Sequence, residues 1–274
     1  MALTIIALLV LGFIAGILAG LLGIGGGLLF TPVLFYLFST GGVENPVLWS
    51  IGTSLFCTFI SASSSTLRQY IQKNFFALDG IKVGILGVAG TALGKWLSTS
   101  GYYSQQEFAI FFSLVMLVAA YSFIRRTSSS FQKNSGSEQQ KHITLPRAGL
   151  VGGIGGFVAS LAGIGGGGVM VPFMNLLMGI PLRKAISISS LAIVFISLGG
   201  WLQLAFSSGA EMGISDFHLG FVDFGAALPL VIGGFLGGFL GVFLNHRVPR
   251  RILQYLFALL AVTVAINLIR SVIF

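Results

Sequence analysis

Long apolar blocks recur along this chain: Leu3–Leu22, Ile51–Leu67, Ile81–Leu97, Phe108–Ile124, Ala185–Phe206, Phe221–Leu244 and Ile252–Ile273. Several reach the ~20 residues that carry a helix across ~30 Å of hydrocarbon. Inside a bilayer the backbone polar groups must find partners within the chain, which leaves helices or a closed barrel. A barrel would show alternating strands of about ten residues, and none are visible. Charged residues make up 8% of the chain, against the roughly 25% of a soluble domain. The sequence therefore predicts an all-α polytopic membrane protein.

Met1–Leu22 has no positive n-region and no A-x-A cleavage site before the glycines, so it is expected to be retained as a helix. Cys57 is the only cysteine, which excludes an intrachain disulfide and a multi-cysteine metal site. The net charge of +8 sits mostly in loops between apolar blocks. There it orients the protein across the bilayer and does not suggest nucleic acid.

The run Gly23-Ile24-Gly25-Gly26-Gly27 followed by Pro32 recurs as Gly163-Ile164-Gly165-Gly166-Gly167 followed by Pro172, 140 residues later and with the same spacing to the proline. Each copy interrupts an apolar segment. Gly12, Gly16 and Gly20 align with Gly152, Gly156 and Ser160 at that offset, Gly52-Thr53-Ser54-Leu55 parallels Ile188-Ser189-Ser190-Leu191, and Gly90–Gly94 parallels Gly237–Gly241. The chain reads as two membrane repeats, 1–124 and 148–274, joined by a polar linker loop, 125–147.

Basic residues occupy the loops Arg68–Lys82, Arg125–Arg147, Arg183-Lys184 and Arg247–Arg251, whereas Ser39–Val47, Ser98–Glu107 and Ser207–Gly220 contain no Lys or Arg. Placing the basic loops in the cytoplasm puts the N-terminus outside and makes the linker cytoplasmic. It also gives two inverted-topology repeats, each a glycine-broken helical hairpin plus three transmembrane helices, about eight in total. The segments after the glycines, Leu28–Leu37 and Val169–Ile180, are too short for a comfortable span, so the hairpins either cross obliquely or are re-entrant.

Paired glycine-broken segments in two inverted halves point to the binding site of a secondary transporter. A helix is broken at depth only where protein or a wet cavity surrounds it, and the helix that follows presents free N–H groups and a positive dipole end to an anion. Gly25, Gly26 and Gly27 in one half and Gly165, Gly166, Gly167 and Gly168 in the other are the candidate donors. The glycines spaced by four are expected instead to let helices pack closely. Hydroxyls gather in the third helix of each half: Thr53, Ser54, Thr58 and Ser61 in one, Ser187, Ser189, Ser190 and Ser197 in the other. Such donors serve an oxyanion without burying a fixed charge; back-bonding to the helix is the alternative. The duplicated pair Thr53, Ser54 and Ser189, Ser190 is favoured for the site, together with Asn175.

Arg68, Gln203 and Asp79 are candidates for a vestibule or for proton coupling, as is Asp223, whereas Lys95 is expected to snorkel to the interface. The histidines, His142, His218 and His246, have no metal-ligand spacing, and no metal or cofactor is expected. Gly163–Gly168 matches a dinucleotide G-x-G-x-x-G pattern but lacks the preceding strand and the acidic residue that would give it meaning. No nucleotide-phosphate loop is present, so an enzyme is not expected and transport would be passive or driven by an ion gradient.

The paired glycine–proline signatures, the Thr53-Ser54-Leu55 and Ser189-Ser190-Leu191 echoes and the glycine-rich Leu236–Leu244 helix before Pro249 resemble the TauE/SafE family of sulfite exporters and toluene-sulfonate uptake permeases. The resemblance covers essentially the whole chain. It implies a multi-pass permease of a prokaryotic cytoplasmic (inner) membrane, moving sulfite or organosulfonates, with proton coupling suspected. The partners so implied are a small anionic substrate and the lipid bilayer, with room for a homo-oligomer. An anion channel-like pathway, or a permease for another small carboxylate or inorganic anion, stays open as the alternative.

Overall fold

A computed structural model describes residues 2–22, 27–71, 73, 75–128, 143–208, 213–245 and 250–273. The chain is an all-α membrane protein. Among the described residues ten α-helices follow in order: α1 (Ala2–Leu22), α2 (Gly27–Thr40), α3 (Pro46–Ile71), α4 (Ala77–Ser98), α5 (Gln105–Ser128), α6 (Leu145–Ala162), α7 (Gly167–Pro172), α8 (Leu182–Ala205), α9 (Phe224–Asn245) and α10 (Arg250–Ile273). A small antiparallel ribbon, β1 (His218–Leu219) with β2 (Val222–Asp223), precedes α9. Among the described residues, five helices are long and apolar enough to cross a membrane: those spanning Pro46–Ile71, Ala77–Ser98, Gln105–Ser122, Leu145–Ala162 and Lys184–Ala205. Shorter apolar helices stand beside them.

Glycine sets the helix pairing, as its spacing predicts. α1 lies along α9, where a Cβ at Gly12 would collide with the Leu230 carbonyl and one at Gly16 with that of Gly234. α4 lies along α6 in the same way, with Gly156 against the Gly87 carbonyl and Gly152 against that of Val83. Backbones approach this closely only where the glycine brings no side chain to the contact. Both pairs run in parallel. α4 is also parallel to α8, Gly80 meeting Leu191 and Gly84 meeting Phe195. α3 is antiparallel to α8, since Leu55 meets Gly200 whereas Ser65 meets Ser190.

The two short arms after the glycine runs differ. α2 continues through Pro32 to Thr40, three residues past the expected end. The second arm is α7 to Pro172, followed by a π-turn over Phe173–Leu177. Proline supplies no N–H for the Gly168 carbonyl, and the ladder widens directly after it. The Asn175 amide then donates to the Ile180 carbonyl at 2.9 Å and closes the turn.

Charge is sorted between the two ends of the bundle. Lys73, Arg147 and Lys184 stand where α4, α6 and α8 begin together, with Asp79 of α4 accepting from the Ile143 N–H at 3.0 Å and pairing with Lys184 at 3.5 Å. The three loops without Lys or Arg meet at the other end, around a shared cavity.

Candidate functional site

The start of α2 touches the second glycine break. α6 ends at Ala162, and Gly163, Gly165 and Gly166 turn the chain with φ of 70°, 68° and 77°, values in the left-handed region that side chains disfavour. Gly27, the first residue of α2, lies against the other break: a Cβ there would sit 2.9 Å from the Ile164 carbonyl. Gly168 lies beside Leu28. Gly25 and Gly26 fall outside the described residues.

α3 passes between the breaks and joins them with hydroxyls. Ser54 donates to the Gly163 carbonyl at 2.8 Å and lies 2.7 Å from the Thr31 hydroxyl of α2. Since the Ser54 proton goes to Gly163, Thr31 supplies the other, shared with the Gly27 carbonyl at 3.1 Å. One turn further along, Thr58 stands against both breaks. Its Oγ1 lies 2.6 Å from where a Gly27 Cβ would be, and its methyl 2.6 Å from that of Gly165.

Thr58 is 4% exposed, and its Oγ1 has no hydrogen-bond partner among the described residues. Helical hydroxyls usually bond to the carbonyl one turn back, as Ser63, Ser189, Ser190 and Ser197 do here. Leaving such a group buried and unpaired costs about 1–3 kcal/mol. The segments forming this crossing, 27–40, 46–67, 148–182 and 185–205, contain no Asp, Glu, Lys or Arg. Its polar groups are neutral hydroxyls and helix-start amides.

A family model described as sulfite exporter TauE/SafE matches residues 8–268, which takes in both glycine breaks and all of α3. The chain belongs to the TauE/SafE family. A probable membrane transporter protein of Methanocaldococcus jannaschii is 32% identical over 228 residues, covering 82% of this chain and 80% of that protein. One from Haemophilus influenzae is 29% identical, covering 96% and 97%. The Bacillus subtilis protein YunE, also a probable membrane transporter, is 28% identical over 70% and 74%. No solved structure matches the chain.

In this TauE/SafE protein the other residues singled out from sequence have partners elsewhere. The Thr53 hydroxyl accepts the Asp223 N–H at 3.1 Å. Asp223 in turn caps α9, accepting from the Ala226 N–H at 2.9 Å and from the backbone and hydroxyl of Ser215. Ser189 and Ser190 back-bond to Ile186, and Ser190 also lies 3.4 Å from the Ser65 hydroxyl. Gly166 packs on the Gly155 carbonyl and Gly167 on Ile193. Gln203 donates to Thr91 Oγ1 at 2.9 Å, Arg68 is exposed, and Asp79 lies at the basic end with Lys184. The structure thus gathers Gly27, Ser54 and Gly165, and adds Thr31 and Thr58. Thr58 was legible as the residue four after Ser54, on the same helix face.

Proposed function

We propose that this chain is a secondary transporter for small sulfur oxyanions such as sulfite or organosulfonates, working by alternating access around the crossing of its two glycine breaks. The observation that carries this is the Thr58 hydroxyl, buried between Gly27 and Gly165 without a partner among the described residues. A donor left unsatisfied at a helix start, in a site without fixed charge, suits an anion held by neutral groups. Ser54, Thr31 and the amides of Gly25–Gly27 and Gly165–Gly168 complete the site, whereas Thr53, Asn175, Ser189 and Ser190 bond elsewhere and support the helices around it.

Helix directions support two inverted halves, 1–124 and 148–274. α6 begins with α4 and α8 at the basic end, while α1 runs parallel to α9, whose start lies beside the cavity at the opposite end. The pairs α1–α9 and α4–α6 also exchange when the halves are exchanged. With the basic end in the cytoplasm of a prokaryotic inner membrane, the N-terminus and the cavity face outward. The relatives named as probable membrane transporters support transport, the family description supports the sulfur oxyanion, and Asp79 beside Lys184 is the candidate for proton coupling.

The test is uptake by the full chain in proteoliposomes, with sulfite, thiosulfate, sulfoacetate and sulfate. Saturable uptake of at least one sulfur oxyanion is expected, falling at least tenfold in Thr58→Val at equal protein in the membrane. No interaction with any of the four would sink the proposal.

A further inference from the structure

The end of the molecule away from the basic loops opens into a cavity of about 700 Å³. Three separate loops line it: Asn45 and the first turn of α3 from one, Ser98 to Gln105 from the second, Ser207 and Ser208 from the third, with Phe221 at its wall. Among the described residues, Lys95, in the last turn of α4, is its one lining cation, and no carboxylate lines it. The side chain of Lys95 is partly buried, yet no carboxylate pairs with it among the described residues. An ammonium on a concave wall without a paired carboxylate favours water or an anion beside it. Among the described carboxylates of that end, Glu107 accepts from the Ser104 N–H at 3.0 Å and from the Ser104 hydroxyl, and Asp223 caps α9. Glu44 and Asp216 are exposed.

We propose that this cavity is an outer capture site for a small oxyanion, with Lys95 as the attracting charge and the Ser207 hydroxyl as a donor. The proposal deepens the transport function proposed above, giving it an approach route and an affinity step at one face. A concave, low-dielectric wall focuses the field of a single cation and raises the local anion concentration. The cavity is far larger than one such anion, so it collects substrate loosely and does not encase it. Two structural links tie it to the crossing. α3 leads from Leu48 at the cavity to Ser54 and Thr58, about 9–15 Å along the axis at ~1.5 Å per residue. The Tyr103 hydroxyl, in the cavity wall, donates at 2.8 Å to the carbonyl of Leu161, two residues before Gly163.

The test uses right-side-out proteoliposomes of the full chain, with sulfite and sulfoacetate as probes and the initial rate read against concentration. Lys95→Gln is expected to raise KM from the cavity face about tenfold while leaving the maximal rate within about twofold of the unaltered protein. Lys95→Arg should restore the KM. A second variant, Ser207→Ala, keeps the charge and should raise KM by a smaller factor, so that a misfolded Lys95→Gln does not close the question. Liposomes with and without anionic lipid separate a free oxyanion from a lipid headgroup phosphate; the Lys95 effect should be the same in both. An effect seen only with anionic lipid would overturn the capture site, as would an unchanged KM in Lys95→Gln and in the serine variant while the unaltered protein transports. Absence of any anion flux in the unaltered protein would defeat the transport function as well, a distinct result.

Discussion

Ser54 and Thr58 are four residues apart on α3 and carry opposite burdens. Ser54 is satisfied twice and ties α2 to the Gly163 turn, so Ser54→Ala should lower stability by about 1 kcal/mol, the usual worth of an interhelical hydrogen bond in a membrane. Thermal unfolding in detergent would register a lower Tm. Thr58 has no hydrogen-bond partner among the described residues, and Val has its shape without the hydroxyl. Thr58→Val should therefore keep or raise Tm while flux falls at least tenfold; a Tm drop like that of Ser54→Ala would mean that the hydroxyl is structural. Sequence drew attention to Ser54 because it is duplicated in Ser190. It named Thr58 among the hydroxyls of that helix but did not favour it, since the corresponding residue of the second half is Val194, as Val171 corresponds to Thr31. The hydroxyl chemistry at the crossing is one-sided although the glycine breaks are paired, and repeat comparison alone finds only what is duplicated.

Among the helices, the apolar blocks and the four-residue glycine spacing were enough to find the elements and their packing faces, since both follow from local periodicity. Gly156 faces the Gly87 carbonyl, whereas a Cβ at Gly153 would meet nothing within 4 Å. Gly156→Ala should destabilise by about 1–3 kcal/mol, the typical penalty of overpacking, and Gly153→Ala should be nearly neutral by the same unfolding measurement. The length of the short arms was not legible. Pro32 is carried inside α2 while Pro172 is followed by a π-turn, and the same residue type at the same spacing gives both outcomes because the surrounding helices differ. The β1–β2 ribbon and its Asp223 cap also escaped notice, since two-residue strands leave no periodic trace and the cap joins Ser215 to Ala226 across the ribbon.

For the whole molecule, the sorting of charge between ends and the opposed directions of α1 and α6 make sidedness a physical expectation. Ser208→Cys, at the cavity rim, should react in intact cells with a membrane-impermeant maleimide, and Lys73→Cys only after permeabilisation. Cys57 is fully buried and gives little background. Labelling in the reverse order would invert the proposed orientation while leaving the crossing of the glycine breaks untouched. The central claim is that a small sulfur oxyanion is carried by alternating access at that crossing. Counterflow tests it most directly: proteoliposomes loaded with unlabelled sulfite are diluted into labelled sulfite, and internal label is followed in time. A transient overshoot above equilibrium, lost in Thr58→Val, is the predicted result; label that only rises to equilibrium, with or without sulfite inside, would contradict it.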